Sequence, residues 1–165
     1  MSAAPMHGLE ARSRADDHAA LRLWLRMLSC VNEVETEIRR RLRERFDISL
    51  PRFDFLAQLH RWPEGLRMNE LSARLMVSGG NVTTLTDELE REGMVTREQN
   101  PNDRRAWIIR LTPAGRRRFD TMAREHERWV LELFEPLDPQ TMKQLYQQLG
   151  VLRHRFLGTE AANGT

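Results

Sequence analysis

The chain has 165 residues, of which 40% are hydrophobic and 30% charged, and its formal net charge is only +2. This length fits one folded domain, and the composition excludes a disordered protein. A charge this small excludes attraction of the whole molecule to an anionic partner, so any such attraction must come from local clusters of arginine. With one cysteine, Cys30, and no apolar run near the roughly 18 residues of a membrane span, we expect a cytoplasmic protein with no membrane partner.

The N-terminal part predicts a flexible lead-in followed by one long helix. Residues 1–18 lack the apolar core of a secretion signal and are interpreted as the lead-in. Residues 19–48 carry apolar side chains at helical spacing without glycine or proline, which predicts an amphipathic helix. Its arginine-rich end, RRRLRER at 39–45, is interpreted as a solvated face, with direct DNA contact as the alternative.

Residues 49–112 predict three short helices and a β-hairpin. Pro51 suits the first turn of one helix, RMNELSARL forms a second, and Ser78 caps a third that ends at Gly93. The turn of about three residues between the second and third helices has the spacing of a helix-turn-helix unit. Two β-prone runs, MVTREQ and AWIIRL, are separated by NPNDRR and predict a hairpin, which in this position is a wing.

Two more long helices are predicted over residues 113–158, opened by Thr112-Pro113 and Asp138-Pro139, and residues 159–165 are interpreted as a flexible tail. The predicted fold is therefore mainly α with a small β-hairpin: a winged helix-turn-helix between long N- and C-terminal dimerisation helices. These outer helices are longer than one small lobe can cover, so their apolar faces need a partner. We expect a twofold homodimer.

The start of the third short helix supplies candidates for DNA contact. Small residues there let the helix enter a major groove, where its amides and Ser78 can meet phosphates and polar side chains can reach base edges. The alternative is an ordinary capped helix. The candidates are Ser78, Gly79, Gly80, Asn81, Thr83 and Thr84.

The hairpin supplies a second group of candidates. Seven arginines and only two acids lie between Val95 and Arg118. Pro101 and Asn102 are expected to make the turn, and Asp103 to pair with Arg105 or with a nearby backbone amide. This arrangement would present two adjacent arginines to the minor groove, with a solvated turn as the alternative. The candidates are Arg97, Asp103, Arg104 and Arg105.

These residues also carry a family resemblance. The stretch SGGNVTTLTDELEREGMVTREQNPNDRRAWIIRLTPAG resembles the winged helix-turn-helix core of the multiple-antibiotic-resistance regulator (MarR) family. The wing pattern D-x-R-x5-L-T falls at Asp103, Arg105, Leu111 and Thr112, and the similar core spans roughly residues 51 to 118. The resemblance implies a homodimeric transcription regulator, usually a repressor, that binds a pseudo-palindromic operator in double-stranded DNA and is released by a small ligand or an oxidant.

Two positions depart from the family pattern. Many relatives have arginine where this chain has Thr84 and again where it has Glu88. The recognition helix therefore offers less direct readout of guanine, and Asp87 with Glu88 adds negative charge. We expect specificity to depend on Asn81, Thr83, Thr84 and DNA shape.

By the resemblance, a ligand pocket is expected where the first, second and fifth helices meet the DNA-binding lobe. Relatives often respond to phenolic or aromatic carboxylates, sometimes as coenzyme A thioesters, and Arg52 could meet a carboxylate or phosphate. The alternative is that the apolar members are simple core. The candidate lining residues are Trp24, Val31, Arg52, Phe55, Leu59, His60 and Trp129.

The sequence also bears on other functional classes and on cofactors. Some relatives sense hydroperoxides through one cysteine held by tyrosines, but the only tyrosine is Tyr146, so we expect Cys30 to be a buried, unreactive thiol. An enzyme is not expected, because the sequence has no HExxH, paired-cysteine, G-x-S-x-G or glycine-rich phosphate motif. No cofactor or metal is expected, since the five histidines lack ligand spacing. A helical dimeric interaction protein without DNA binding stays open.

Overall fold

The structure, a computed structural model, describes residues 18–100 and 103–160, with the backbone alone for residues 104, 105 and 155–160. Most of the predicted lead-in, and residues 161–165 of the predicted tail, lie outside the described residues. In chain order the elements are α1 (Ala19–Phe46), α2 (Leu50–Arg61), β1 (Leu66–Arg67), α3 (Met68–Leu75), α4 (Gly79–Arg91), β2 (Val95–Asn100), β3 (Asp103–Leu111), α5 (Pro113–Phe134) and α6 (Pro139–Glu160). The chain divides into two compact units, one ending at Glu127 and one beginning at Arg128.

The helix starts lie where the capping residues predict them. Before α5, Thr112 Oγ1 accepts a hydrogen bond from the N–H of Gly115 at 2.9 Å. Before α6, Asp138 Oδ1 accepts from the N–H groups of Gln140 and Thr141 at 2.9 and 3.0 Å. Hydrogen bonds from Thr141 lower the pKa of the Asp138 carboxyl. α6 continues to Glu160, so it extends two residues into the predicted tail.

The arginine-rich end of α1 is a solvated face laced with ion pairs. Arg39 donates to Glu35 at 2.8 Å, and both Arg40 and Arg41 donate to Glu37 at 2.7 Å. The two guanidinium groups beside Glu37, that of Arg40 foremost, lower the pKa of its carboxyl to about 2. These pairs at helical spacing support the prediction of a solvated face over that of a DNA contact.

The winged lobe is built on a three-stranded antiparallel sheet of order β1-β3-β2. The predicted hairpin pairs Val95 with Leu111 and Gln99 with Trp107. The sequence did not predict β1, whose two residues pair with Ile108 and Ile109. Two residues are too few to show an alternating pattern, so β1 can be recognised only from the strand it pairs with.

The apolar stripes of α2, α3 and α4 meet under the sheet. Leu59, Leu71, Val82, Leu89 and Ile109 are all at most 1% exposed. This core fixes one face of α4 inward and leaves the opposite face to solvent.

A row of rings joins α2 to α5. The His60 ring lies 5.0 Å from Phe119, Phe119 lies 5.3 Å from Phe53, and Phe53 lies 4.8 Å from His126, measured between ring centroids. Burial lowers the pKa of His126 below its ordinary value of 6.5. The row anchors the start of α5 on the winged lobe.

Candidate nucleic-acid interface

The first turns of α4 form an exposed polar face. Ser78 caps the helix, because its Oγ accepts a hydrogen bond from the N–H of Asn81 at 3.4 Å. On the opposite face, Val82, Thr86 and Leu89 are fully buried. The structure therefore brings the six predicted contact residues of this helix start onto one exposed surface: Ser78, Gly79, Gly80, Asn81, Thr83 and Thr84.

The two exposed threonines are tied to their own helix. Thr83 Oγ1 donates to the carbonyl of Gly79 at 3.0 Å, and Thr84 Oγ1 donates to the carbonyl of Gly80 at 3.1 Å. Each hydroxyl keeps free lone pairs after this bond. In this arrangement the side chains present acceptors, which suit the amino groups of adenine and cytosine on a major-groove edge.

Packing within the described residues does not explain why α4 begins with two glycines. A Cβ atom added at Gly79 would meet nothing within 4 Å, and one at Gly80 would meet only Ser78 Oγ, at 4.0 Å. By contrast, a Cβ at Gly115 would lie 1.9 Å from the carbonyl oxygen of Met94, so that glycine is required by packing. Glycine in a helix costs roughly 0.5–1 kcal/mol relative to alanine. A surface that closely approaches an outside partner is a physical reason for carrying that cost twice.

Arg97 is not a free cation. Its guanidinium on β2 forms an ion pair with Asp87 and a second with Glu90 at 3.2 Å, both on α4. The role of Arg97 as a direct DNA contact stays a prediction, but in the free chain its charge is paired with these carboxylates. The same pairs partly offset the negative charge that Asp87 adds to α4. These pairs, named here the α4–β2 clip, connect the recognition helix to the base of the wing.

The wing tip lies largely outside the described residues. Pro101 and Asn102, predicted to form the turn, are not described, and neither are the side chains of Arg104 and Arg105. Asp103 is exposed and opens β3 opposite Asn100. The predicted presentation of the two arginines stays a prediction.

A groove separates the start of α4 from the wing, and the sequence did not predict it. It has a volume of about 710 Å³ and is mostly apolar. Trp107 on β3 is 46% exposed and forms part of its wall. The full lining is Met68, Asn69, Ser72, Ala73, Gly79, Thr83, Arg97 and Trp107. The sequence signal was a tryptophan in a β-prone run, but only the fold places that residue beside α4.

Comparison with known proteins places this geometry in a family. Residues 48–107 match the MarR family. A solved MarR-family regulator from Silicibacter pomeroyi is 33% identical, with 86% of this chain and 99% of that one covered and a TM-score of 0.72. The chain belongs to the MarR family. The HTH-type transcriptional regulator YdgJ of Bacillus subtilis (strain 168) is 29% identical over 69% of each chain.

A further MarR-family structure contains DNA. Sco3205 from Streptomyces coelicolor, solved in complex with DNA, is 22% identical with a TM-score of 0.72, and covers 86% of this chain and 89% of its own. At this identity the likeness concerns the fold. The mainly α winged helix-turn-helix prediction is confirmed, as is the prediction of a regulator rather than an enzyme.

The predicted ligand-pocket residues of this MarR-family chain do not form one pocket in the single subunit. Trp24 and Val31 are each 54% exposed on α1. The Arg52 guanidinium forms an ion pair with Glu92 through one of its terminal nitrogens. A ligand contact by these three residues stays a prediction.

The remaining predicted pocket residues have ordinary structural surroundings. Phe55, Leu59 and Trp129 are buried. His60 Nε2 lies 2.9 Å from Asp120 Oδ1, and its ring belongs to the row that joins α2 to α5. The burial of Phe55, Leu59 and Trp129 fits the alternative that the apolar members are simple core.

Cys30 is exposed in the single subunit. The prediction of a buried thiol is therefore wrong for this chain alone, because Cys30 lies on the exposed side of α1 although its neighbour Ser29 is buried. Within residues 18–100 and 103–160, no cluster of three metal-ligating side chains is found. No described helix is long and apolar enough to span a membrane.

Proposed function

We propose that this MarR-family chain is a DNA-binding transcriptional regulator that inserts α4 into the major groove and the wing into the adjacent minor groove. The observation that carries the proposal is the exposed first turn of α4, where two glycines without an internal role adjoin Ser78, Asn81 and two threonines. The DNA complex of Sco3205, which shares the fold, supports it.

Each part of the surface has a distinct task in this proposal. Amides of the first helical turn and Ser78 meet phosphates and set the register of the helix. Asn81, Thr83 and Thr84 read base edges. Arg104 and Arg105 supply positive charge to the minor groove, where width is set by sequence, so part of the specificity comes from DNA shape.

The test is equilibrium binding to a 30-base-pair duplex from the upstream region of the gene, measured by fluorescence anisotropy at several salt concentrations. The salt slope is the slope of the logarithm of the binding constant against the logarithm of the salt concentration. Replacing Arg104 and Arg105 with alanine removes two positive charges that would neutralise phosphates. Because each such contact contributes roughly 0.9, the magnitude of the salt slope is expected to fall by about 1.8. The matched control replaces Arg39 and Arg43, two exposed arginines of α1, and is expected to keep the slope. An unchanged slope in the wing variant would count against minor-groove contact.

The regulator acts as a homodimer in this proposal. Large apolar side chains stand exposed along the outer helices of the single subunit, and a second copy would cover them: Leu21, Leu23, Trp24, Val31, Leu131, Leu145, Tyr146, Leu149, Val151 and Leu152. A twofold dimer presents two α4 helices to half-sites about 34–36 Å apart in a pseudo-palindromic operator. Sedimentation as a monomer at micromolar concentration would contradict this part.

For the effector, we propose a small aromatic carboxylate or its coenzyme A thioester, which releases this repressor from its operator. This proposal rests on the family resemblance. Trp24 and Val31 are exposed in one subunit, so a pocket that includes them needs the second subunit to close it. Release requires the effector to bind free dimer more tightly than operator-bound dimer. The test is a panel of aromatic acids and thioesters added to the DNA complex, with Trp24→Ala expected to lose release but keep DNA affinity.

The exposure of Cys30 favours a second candidate effector, an organic hydroperoxide that oxidises this thiol. Release of DNA by hydroperoxide in the native protein, and its absence in Cys30→Ser, is the expected result of that alternative. Equal release in both proteins would remove it. Absence of DNA binding by the native protein under all conditions would leave the helical interaction protein as the surviving candidate.

A further inference from the structure

We infer that Trp107 packs against the deoxyribose–phosphate strand that separates the two DNA grooves and is a positioning contact for the whole complex. This inference rests on the proposed function. If α4 enters a major groove and the wing enters the adjacent minor groove, then the strand between those grooves must pass between α4 and the wing. The groove walled by Trp107 lies in that place.

Trp107 borders two neighbouring grooves. It lines the larger groove together with Gly79 and Thr83 of α4, and also a smaller one of about 310 Å³ with Asp103 at the start of β3. Met68 and Asn69 line both. The two grooves therefore connect the start of the recognition helix to the wing, which is the course that a DNA strand would take.

The exposure of Trp107 is not explained by a partner within the described residues. Trp62 is nearly as exposed, at 45%, but the Arg74 guanidinium lies over its ring at 4.5 Å. For Trp107, no ring or cation contact is found among the side chains that the structure describes. An indole that is nearly half exposed and carries a single N–H donor suits a partner that is apolar over most of its area and accepts hydrogen bonds at its edge.

The chemistry of the groove fits sugar better than phosphate at its centre. Most of its lining is apolar, and the charge of Arg97 is matched by the α4–β2 clip. Deoxyribose offers C–H surface to such a lining, while the flanking phosphates reach the exposed Arg67 and the amides at the start of α4. Contacts of this kind position a protein on DNA and carry no direct sequence information.

The test compares Trp107→Ala, Trp107→Phe and the matched control Trp62→Ala in the full chain. The probes are the upstream 30-base-pair duplex and an unrelated duplex of the same base composition. Trp107→Ala is expected to weaken binding to both duplexes by about tenfold. Because tryptophan releases no counterion, the salt slope is expected to stay unchanged. Trp107→Phe should stay within about threefold of the native protein and Trp62→Ala within about twofold.

A measurement on the native protein guards against misfolding of the variants. Hydroxyl radicals attack deoxyribose, so native protein is expected to protect the sugars of the strand between the two grooves, and Trp107→Ala to lose that protection. Native affinity in Trp107→Ala would overturn the inference while leaving the proposed function intact. Weakening on the upstream duplex alone would overturn it in favour of base readout. Loss of effector response without loss of DNA binding would overturn it in favour of a small-molecule groove, and failure of the native protein to bind either duplex would overturn both proposals.

Discussion

Replacing Gly80 with alanine is expected to stabilise the protein and at the same time to weaken its binding to DNA. Gly80 lies in the first turn of α4 with helical backbone geometry, where alanine is the better residue. Outside its own helix backbone and chain neighbours, the described residues place only Ser78 Oγ near the added Cβ, at 4.0 Å, so no clash offsets the gain.

The magnitudes follow from these two facts. Alanine should raise the free energy of unfolding by about 0.5–1 kcal/mol. For a chain of this length, each 1 kcal/mol corresponds to about 2–4 °C in the unfolding midpoint. On DNA, the methyl group stands on the surface that approaches the bases, and we expect a loss of about tenfold in affinity, equivalent to about 1.4 kcal/mol.

The assay combines thermal unfolding, followed by circular dichroism, with anisotropy binding to the upstream duplex. Gly115→Ala is the internal contrast, because its Cβ would lie 1.9 Å from the Met94 carbonyl oxygen. That variant should lose about 1–3 kcal/mol of stability through overpacking. Unchanged DNA affinity in Gly80→Ala would refute the reasoning that an outside partner explains this glycine.

Three further predictions concern the α4–β2 clip, the ring row and a helix cap. Arg97→Ala should weaken DNA binding about threefold to tenfold with little loss of stability. Adding Asp87→Ala to that variant should weaken DNA binding little further, and a double-mutant cycle of binding constants would test this. Because burial lowers the pKa of His126 below 6.5, the folded protein binds fewer protons than the unfolded chain just below that pH. Its stability should therefore fall as pH is lowered through 6.5, and less so in His126→Phe, as unfolding midpoints across pH would test. Thr112→Ala removes the cap of α5 and should cost about 1 kcal/mol in urea unfolding, whereas Thr112→Ser should retain most of that stability.

The features of this fold that could be predicted from the sequence are those determined within a few residues. Ser78, Thr112 and Asp138 each accept hydrogen bonds from the helix that follows, and Gly93 adopts a φ of +70° just beyond α4. The exposed face of α4 follows from periodicity alone. Capping and periodicity depend on residues close together in the chain, so they can be predicted from the sequence without knowledge of the tertiary structure.

The features that were missed depend on residues far apart in the chain. The α4–β2 clip joins Arg97 to Asp87 across a turn whose angle is set by the sheet, and the groove at Trp107 needs β3 placed beside α3 and α4. Helical periodicity gives the face of α1 on which a side chain lies, but the exposure of Cys30 and Trp24 depends on which distant segments pack against that face.

The positive charge of this regulator lies outside the start of α4. The first ten residues of α4, GGNVTTLTDE, contain two acids and no lysine or arginine, and the nearest cation on β2, Arg97, is held in the clip. Attraction to phosphate must therefore come mainly from outside this helix, while the helix contributes close fit and hydrogen-bond acceptors. Because the clip fixes the base of the wing to α4, the spacing between the two DNA-facing elements is set by the protein. In the proposed complex, we expect operators whose groove geometry matches that spacing to be preferred, even at base pairs that no side chain touches.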